Sequence, residues 1–149
     1  MILDRKNTIE RYENIRLMLS RDFEIESPFD FIQIANEGVS AQMIKKIMTG
    51  FNFSHSLAAK LLNVSEPTIY RWLRSDKTLD RNISIRLLEI TDLFLYGEEV
   101  FGVRDKFFKW LSLPNTALGN MEPVELLEFP DGASKVRDII GRIEFGVYS

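Results

Sequence analysis

The stretch that decides the fold is "SLAAKLLNVSEPTIYRWLR", residues 56–74, which holds two short segments of helical spacing joined at Asn63. Two helices that cross steeply need a small residue where their backbones meet, and Ala59 provides it. The turn needs a residue that tolerates a positive φ, and asparagine is the best choice after glycine. Ser65 is suited to cap the second helix, and Pro67 is acceptable in its first turn. The stretch therefore predicts a helix-turn-helix.

The second helix of this stretch has one apolar face and one polar face. Ile69, Trp72 and Leu73 recur at helical spacing and are predicted to point inward. A recognition helix offers its opposite face to the major groove of DNA. The residues of this helix predicted to contact DNA are Ser65, Glu66, Thr68, Tyr70, Arg71 and Arg74. Lys77 and Arg81, just downstream, are predicted to contact the DNA backbone rather than to read its sequence. The alternative is a helical hairpin whose outer face only meets water.

Composition limits the class of protein. The chain has 149 residues, of which 45% are hydrophobic, and it contains no cysteine. Disulfides, thiolate catalysis and cysteine zinc sites are thereby excluded, and a reducing cytoplasm is expected. No apolar run approaches the roughly 18 residues of a membrane span. Acidic side chains among the first basic ones argue against a signal or transit peptide.

Charge is unevenly distributed along the chain, whose net charge is −3. Residues 50–89 carry six basic and four acidic side chains, whereas residues 90–149 carry six basic and ten acidic ones. Nucleic acid is therefore expected to bind the mildly basic middle, and a different partner the acidic end.

Helical spacing dominates the remaining sequence, so an all-α protein is predicted. Beyond the helix-turn-helix, the predicted helices are residues 7–19, 28–38, 40–50, 81–96, the segment "RDKFFKWLS" and a last helix capped by Asp131. The first of them has Asn7 and Glu10 placed as a capping pair, with Ile9, Tyr12, Ile15 and Leu19 on one stripe. That helix is either a dimer element or packs on its own chain. The weakest joints are expected near residues 23–28 and 97–104.

The chain ends on "GRIEFGVYS", residues 141–149, where apolar side chains alternate with polar ones. Burial of Phe145, Val147 and Tyr148 at about 1.5–3 kcal/mol each is of the size needed to order such a segment. The segment is predicted to fold back on its own domain or to fill a pocket of another protein.

Three segments carry a resemblance to a known family: "WLSLPNTALGN" (residues 110–120), "EPVELLE" (122–128) and the closing "GRIEFGVYS". With the helix-turn-helix before them, they resemble the Xre/MbcA/ParS antitoxins, which neutralise RES-domain toxins. Met121 departs from the family, which usually has a capping hydroxyl there. The resemblance runs from about residue 28 to the last residue and implies a DNA-binding domain over 28–98 and a small helical toxin-binding domain over 99–149. Residues 1–27 lie outside it and are predicted to form an N-terminal helical extension.

The resemblance also implies a function. The middle would bind operator DNA and repress its own operon, and the C-terminal region would cover the active site of a toxin that destroys NAD. A homodimer is expected on separate grounds, because single helix-turn-helix units bind short sites and gain specificity in pairs. Toxin contacts are then expected at Asn115, Leu118, Arg142, Glu144, Tyr148 and Ser149. Glu144 would lie in a phosphate subsite and Tyr148 in an aromatic one, whereas Ile143 would belong to the core.

An enzyme is not predicted. The one histidine, His55, has no partner histidine or cysteine for a metal site, and the chain has no Gly-rich phosphate loop followed by lysine. We therefore expect no catalytic residue, no metal and no cofactor. Two further interpretations stay open: a transcription regulator whose C-terminal half dimerises or senses a ligand without a toxin partner, and an adaptor whose helix-turn-helix no longer binds DNA.

Overall fold

The computed structural model of the chain describes residues 2–19 and 25–146, and every regular element within these ranges is a helix. The predicted all-α fold is thus confirmed. The helices are α1 (Ile2–Leu19), α2 (Pro28–Glu37), α3 (Gln42–Phe51), α4 (His55–Leu62), α5 (Glu66–Leu73), α6 (Arg81–Phe101), α7 (Arg104–Leu111), a 3₁₀ helix (Thr116–Leu118), α8 (Pro123–Leu126) and α9 (Gly132–Glu144).

The chain divides into two compact units, Met1–Asp92 and Leu93–Ser149, and α6 contributes residues to each. In the first unit, α3 packs on α1 and α5, and α4 packs on α5. The buried side chains of α3, among them Ile44, Ile47 and Phe51, form the centre of this core.

Helix α1 packs on its own unit, one of the two alternatives that the sequence leaves open. The ring of Tyr12 meets that of Phe31 edge to face, with 5.5 Å between centroids, and Ile15 is fully buried. Arg11 is buried beside them, and its Nε lies 3.1 Å from Oδ1 of the buried Asp92. The helix thus belongs structurally to the first unit.

Two details predicted for α1 are wrong. The helix begins at Ile2, so Asn7 lies inside it and not at its cap. Ile9 is 58% exposed, because the buried face of the helix runs through Arg11 instead, whose charge is paired. Ile9 and Leu17 leave an apolar outer face, where a role in dimerisation stays a prediction.

The segment between α5 and α6 is held against the turn between α2 and α3. The N–H of Ala41 donates to the carbonyl of Lys77 at 2.9 Å, and that of Leu79 donates to the carbonyl of Val39 at 2.8 Å. These bonds fix the backbone that carries Lys77 relative to the helix-turn-helix.

The second unit is built around an aromatic cluster. The ring of Phe107 lies 5.4 Å from that of Phe94 and 5.5 Å from that of Phe101. A Cβ atom at Gly97 would lie 2.2 Å from Cζ of Phe107, so glycine is required there for close packing. Helix α6, predicted to end near residue 96, therefore continues to Phe101, and the chain turns at residues 102–103, within the joint expected over 97–104.

Helix α9 belongs to the same unit and contributes the buried side chains of Val136, Ile139 and Ile140. Ile143 in the same helix is half-buried. The predicted side-chain cap by Asp131 is wrong. Asp131 stands at the cap position, but its φ is +62° and its side chain accepts no bond from the helix. The tight left-handed turn there replaces the extended conformation in which a capping carboxylate reaches the first turn.

Candidate nucleic-acid interface and toxin-binding region

The turn between α4 and α5 forms as its residues predict. Asn63 has φ +56° and ψ +48°, and its N–H donates to the carbonyl of Lys60 at 3.2 Å. The N–H of Val64 donates to the carbonyl of Ala59 at 3.0 Å. Ser65 Oγ accepts the N–H of Thr68 at 3.3 Å and so caps α5. These bonds satisfy the end of one helix and the start of the next within the turn.

On the inner side of α5, Ile69 is fully and Trp72 almost fully buried as predicted, whereas Leu73, at the end of the helix, is half-buried. Helix α4 is also tied to α6, because Arg86 Nε donates to the carbonyl of Leu61 at 2.7 Å. Partial burial lowers the pKa of the Arg86 guanidinium. The orientation of α5 is therefore set by packing on one side and by hydrogen bonds around α4.

The outer side of α5 brings the predicted DNA contacts together on one helix. Ser65, Glu66, Tyr70, Arg71 and Arg74 are exposed, and Thr68 is half-buried beneath Ser65. Lys77 and Arg81 are exposed on the following segment. Within residues 2–19 and 25–146, the four cationic side chains of this set form no ion pair. Their charge is available for phosphates.

Tyr70 is restrained by a residue that the sequence analysis set aside. The His55 ring stacks on the Tyr70 ring with 4.3 Å between centroids and an angle of 9° between planes. Tyr70 is 47% exposed in spite of this contact. His55 is the first residue of α4, so only the crossing of α4 over α5 brings the pair together. No local sequence signal indicates it.

In the second unit, Asn115, one of the residues predicted to contact the toxin, has a structural role in its own loop. Its side chain is buried, and Oδ1 accepts the N–H of Ala117 at 2.9 Å, which caps the 3₁₀ helix. Its backbone N–H donates to the carbonyl of Met121 at 3.0 Å. Asn115 thus closes the loop from within, whereas Leu118 in the same loop is half-buried.

The end of α9 carries the other expected toxin contacts. Arg142 is exposed, and Phe145, just beyond the helix, is 61% exposed. Glu144 is half-buried, and its Oε1 accepts the hydroxyl of Tyr96 at 2.7 Å. Tyr148 and Ser149, the remaining two predicted contacts, lie outside the described residues, as does Val147.

The described part of the chain holds neither a cluster of metal ligands nor a helix that could span a membrane. There, no three His, Asp or Glu side chains come together as metal ligands would. None of the described helices combines the length and the apolar character that crossing a bilayer requires.

Comparison with known proteins adds two family matches. Residues 30–91 match the family described as "Antitoxin Xre-like helix-turn-helix domain", and residues 97–146 match "Antitoxin Xre/MbcA/ParS C-terminal toxin-binding domain". The two matches lie in the order that the sequence resemblance predicts, and together they cover most of the chain.

Individual relatives agree. A "Prs ADP-ribosylating antitoxin" of Sphingobium sp. (strain YBL2) is 24% identical over 132 residues, which is 83% of each chain. An "Antitoxin Xre" of Photorhabdus laumondii subsp. laumondii is 26% identical over 117 residues, which is 78% of this chain and 79% of the relative. In an "Antitoxin Xre" of Yersinia enterocolitica, 48 residues are 46% identical.

A solved structure shares the fold. A chain in the crystal structure of the M. tuberculosis MbcT–MbcA toxin–antitoxin complex superposes with a TM-score of 0.57 at 18% identity, over 73% of this chain and 96% of that one. The matched domains and the relatives are those of antitoxins and not of enzymes, as the sequence analysis predicts. The chain thus carries an Xre-like antitoxin helix-turn-helix domain followed by an Xre/MbcA/ParS toxin-binding domain, and it is an antitoxin of a toxin–antitoxin system.

Proposed function

We propose that this antitoxin acts in the cytoplasm on two partners: a RES-domain toxin that degrades NAD, and the operator DNA of its own operon. The C-terminal region covers the toxin's active site, and the exposed face of α5 binds the operator as part of a homodimer. The match of residues 97–146 to a toxin-binding domain carries the first half of the proposal. It also disfavours the interpretation as a regulator without a toxin partner.

The DNA half rests on the exposed face of α5. Arg71 and Arg74 project from the helix, and Lys77 and Arg81 extend the positive charge beyond its end. Cations that form no internal ion pair can replace the counterions of the DNA backbone, which is the main source of affinity for DNA. Tyr70, held by its stack on His55, offers a rigid aromatic group beside them. Dimerisation fits because single helix-turn-helix units gain specificity by binding paired half-sites.

We assign α1 to the DNA-binding part and not to a separate extension. Its Arg11, Tyr12 and Ile15 are buried in the first unit, and Arg11 pairs with Asp92 near the end of that unit. We keep residues 99–149 as the toxin-binding domain.

The toxin half rests on the exposed end of α9. Phe145 is an exposed apolar side chain directly after α9, within the closing segment that the family resemblance assigns to the toxin. Glu144, by contrast, already accepts the Tyr96 hydroxyl, so we no longer assign it to a phosphate subsite of the toxin. NAD chemistry is supported by the family resemblance and by the relative whose name refers to ADP-ribosylation, a reaction that consumes NAD.

The test is co-expression with the RES-domain protein encoded beside this gene. Full-length antitoxin should co-purify with the toxin and preserve cellular NAD, whereas a chain lacking residues 145–149 should bind it at least tenfold more weakly, since burial of one large apolar side chain is worth about 1.5–3 kcal/mol. Phe129→Ala is a matched control, because Phe129 is 54% exposed elsewhere in the same unit.

Three results would count against the proposal. Wild-type affinity and rescue by the shortened chain would exclude coverage of the toxin by the C-terminal residues. A toxin that transfers ADP-ribose to a protein without net loss of the NAD pool would exclude NAD degradation as its main action. Absence of salt-dependent binding to the promoter would leave the adaptor interpretation.

A further inference from the structure

Tyr96 on α6 packs against one face of α9. Its hydroxyl donates to Glu144 Oε1 at 2.7 Å, and the Arg137 guanidinium lies 4.7 Å from the centre of its ring. A Cβ atom at Gly141 would come to 3.4 Å of the same hydroxyl, so the glycine lets the tyrosine approach the helix backbone. Arg137, Gly141 and Glu144 follow at intervals of four and three, which places all three on one side of α9.

Glu144 occupies an unusual position for an acidic residue. It is the last residue of α9, where the helix dipole disfavours negative charge. The phenolic hydroxyl of a buried tyrosine compensates for this, because hydrogen bonds to a charged acceptor are stronger than neutral ones. A locally unfavourable residue that is held by a specific partner is typical of a functional position.

This contact lies directly before the C-terminal segment. The N–H of Phe145 donates to the carbonyl of Gly141 at 3.1 Å, and that of Gly146 donates to the carbonyl of Ile143 at 3.2 Å. Gly146 has φ +68°, which turns the chain away from the helix axis. The direction in which the chain leaves α9 is therefore defined by the last turn of the helix, and Tyr96 holds that turn through Glu144.

We propose that Tyr96, Arg137 and Glu144, which we call the Tyr96 clasp, position the end of α9 so that Phe145 and Gly146 approach the toxin already oriented. This inference rests on the proposed function of the C-terminal region. Tyr96 is buried and does not itself contact the toxin; it acts through Glu144. Ordering a segment before binding raises affinity because less conformational entropy is lost on association.

The experiment measures toxin affinity by calorimetry for four chains: full-length, Tyr96→Phe, the chain lacking residues 145–149, and the combination of both changes. Tyr96→Phe removes only the hydroxyl and should weaken binding about tenfold in the full-length chain, as expected for a hydrogen bond to a charged group. In the shortened chain the same substitution should change the affinity less than about twofold. A purely structural role would instead weaken binding equally in both backgrounds.

Substitutions at Glu144 provide the second arm. Glu144→Gln keeps an oxygen that accepts the tyrosine hydroxyl but loses the charge, so it should weaken binding about threefold, less than Tyr96→Phe does. Glu144→Ala should resemble Tyr96→Phe and add nothing to it. Tyr70→Phe, which removes a hydroxyl from α5, is the matched control and should leave toxin affinity unchanged. Should Tyr96→Phe fail to fold, Glu144→Ala in the full-length and shortened chains replaces it.

The outcomes separate the inference from the proposed function. Unchanged affinity on deletion of residues 145–149 would overturn the proposed function. A large loss on deletion, with no loss from Tyr96→Phe or with equal loss in both backgrounds, would overturn the clasp alone. Additive effects of Tyr96→Phe and Glu144→Ala would also overturn it, since Glu144 would then contact the toxin independently.

Discussion

Replacing both Arg71 and Arg74 by alanine should weaken operator binding and leave toxin neutralisation intact. Both side chains are exposed on the outer face of α5, and neither forms an ion pair within the described residues. Their loss removes two positive charges per protomer without opening a cavity in the core. The matched control is Lys106→Ala with Lys109→Ala, which removes the same charge from exposed positions on α7.

The magnitude follows from counterion release. Each cation that neutralises a phosphate contributes about 0.9 to the slope of log affinity against log salt concentration. The double substitution should therefore reduce the slope by about 1.8 per protomer and by about 3.6 for a dimer. When the salt concentration rises fourfold, both proteins lose affinity. For one protomer, the factor by which the wild type loses affinity should be roughly twelve times the factor for the variant.

The assay is fluorescence anisotropy with a labelled fragment of the antitoxin's own promoter and a scrambled fragment, over a series of salt concentrations. If one of the arginines reads a guanine, the ratio of affinities for the two fragments should also fall, by about 1–3 kcal/mol for each lost bidentate contact. Thermal unfolding checks that the variants remain folded.

Two results would refute this reasoning. If the arginine variant keeps both the affinity and the salt slope of the wild type, the outer face of α5 is not the DNA interface. If the lysine control lowers the slope equally, the effect reflects overall charge and not a defined surface.

Three further substitutions test how the chain is held together and how its DNA-binding face is arranged. Arg11→Ala leaves a buried carboxylate without its cation and should lower the free energy of unfolding by about 3–5 kcal/mol, measured by urea denaturation; a loss below 1 kcal/mol would show that α1 is not anchored there. Gly97→Ala places a Cβ against the Phe107 ring and should cost about 1–3 kcal/mol. Gly50→Ala, in an open helical position, is the control and should raise the free energy of unfolding by about 0.5–1 kcal/mol. Equal effects of the two glycine substitutions would contradict the packing argument. His55→Ala removes the ring that holds Tyr70 and should weaken operator binding up to about tenfold in anisotropy, with unchanged toxin affinity; full operator affinity would exclude a role for the stack.

Sequence reasoning was most successful where the controlling interactions are local. The turn at Asn63, the Ser65 cap and the inward side of α5 each depend on residues within four positions of one another. Backbone sterics, capping hydrogen bonds and helical periodicity act over that distance. For this reason the helix-turn-helix and the polarity of its two faces could be predicted residue by residue.

Sequence reasoning failed where a distant partner decides. The periodicity of α1 favoured a buried Ile9, but the buried face contains Arg11, whose partner Asp92 lies 81 positions away. The helix predicted over residues 81–96 continues to Phe101, because Gly97 packs against the ring of Phe107 inside it. Propensity describes an isolated segment, and packing overrides it when a specific contact contributes more.

The chain's own residue order thus determined the all-α class, the helix-turn-helix and the family resemblance. Only the tertiary structure placed His55 on Tyr70 and Tyr96 on Glu144, the latter pair separated by 48 positions. Neither pair has a local signature, because an aromatic ring or a carboxylate at a helix end is compatible with many neighbours. Which neighbour it has depends on how the helices cross, and that is set by the packing of the whole unit.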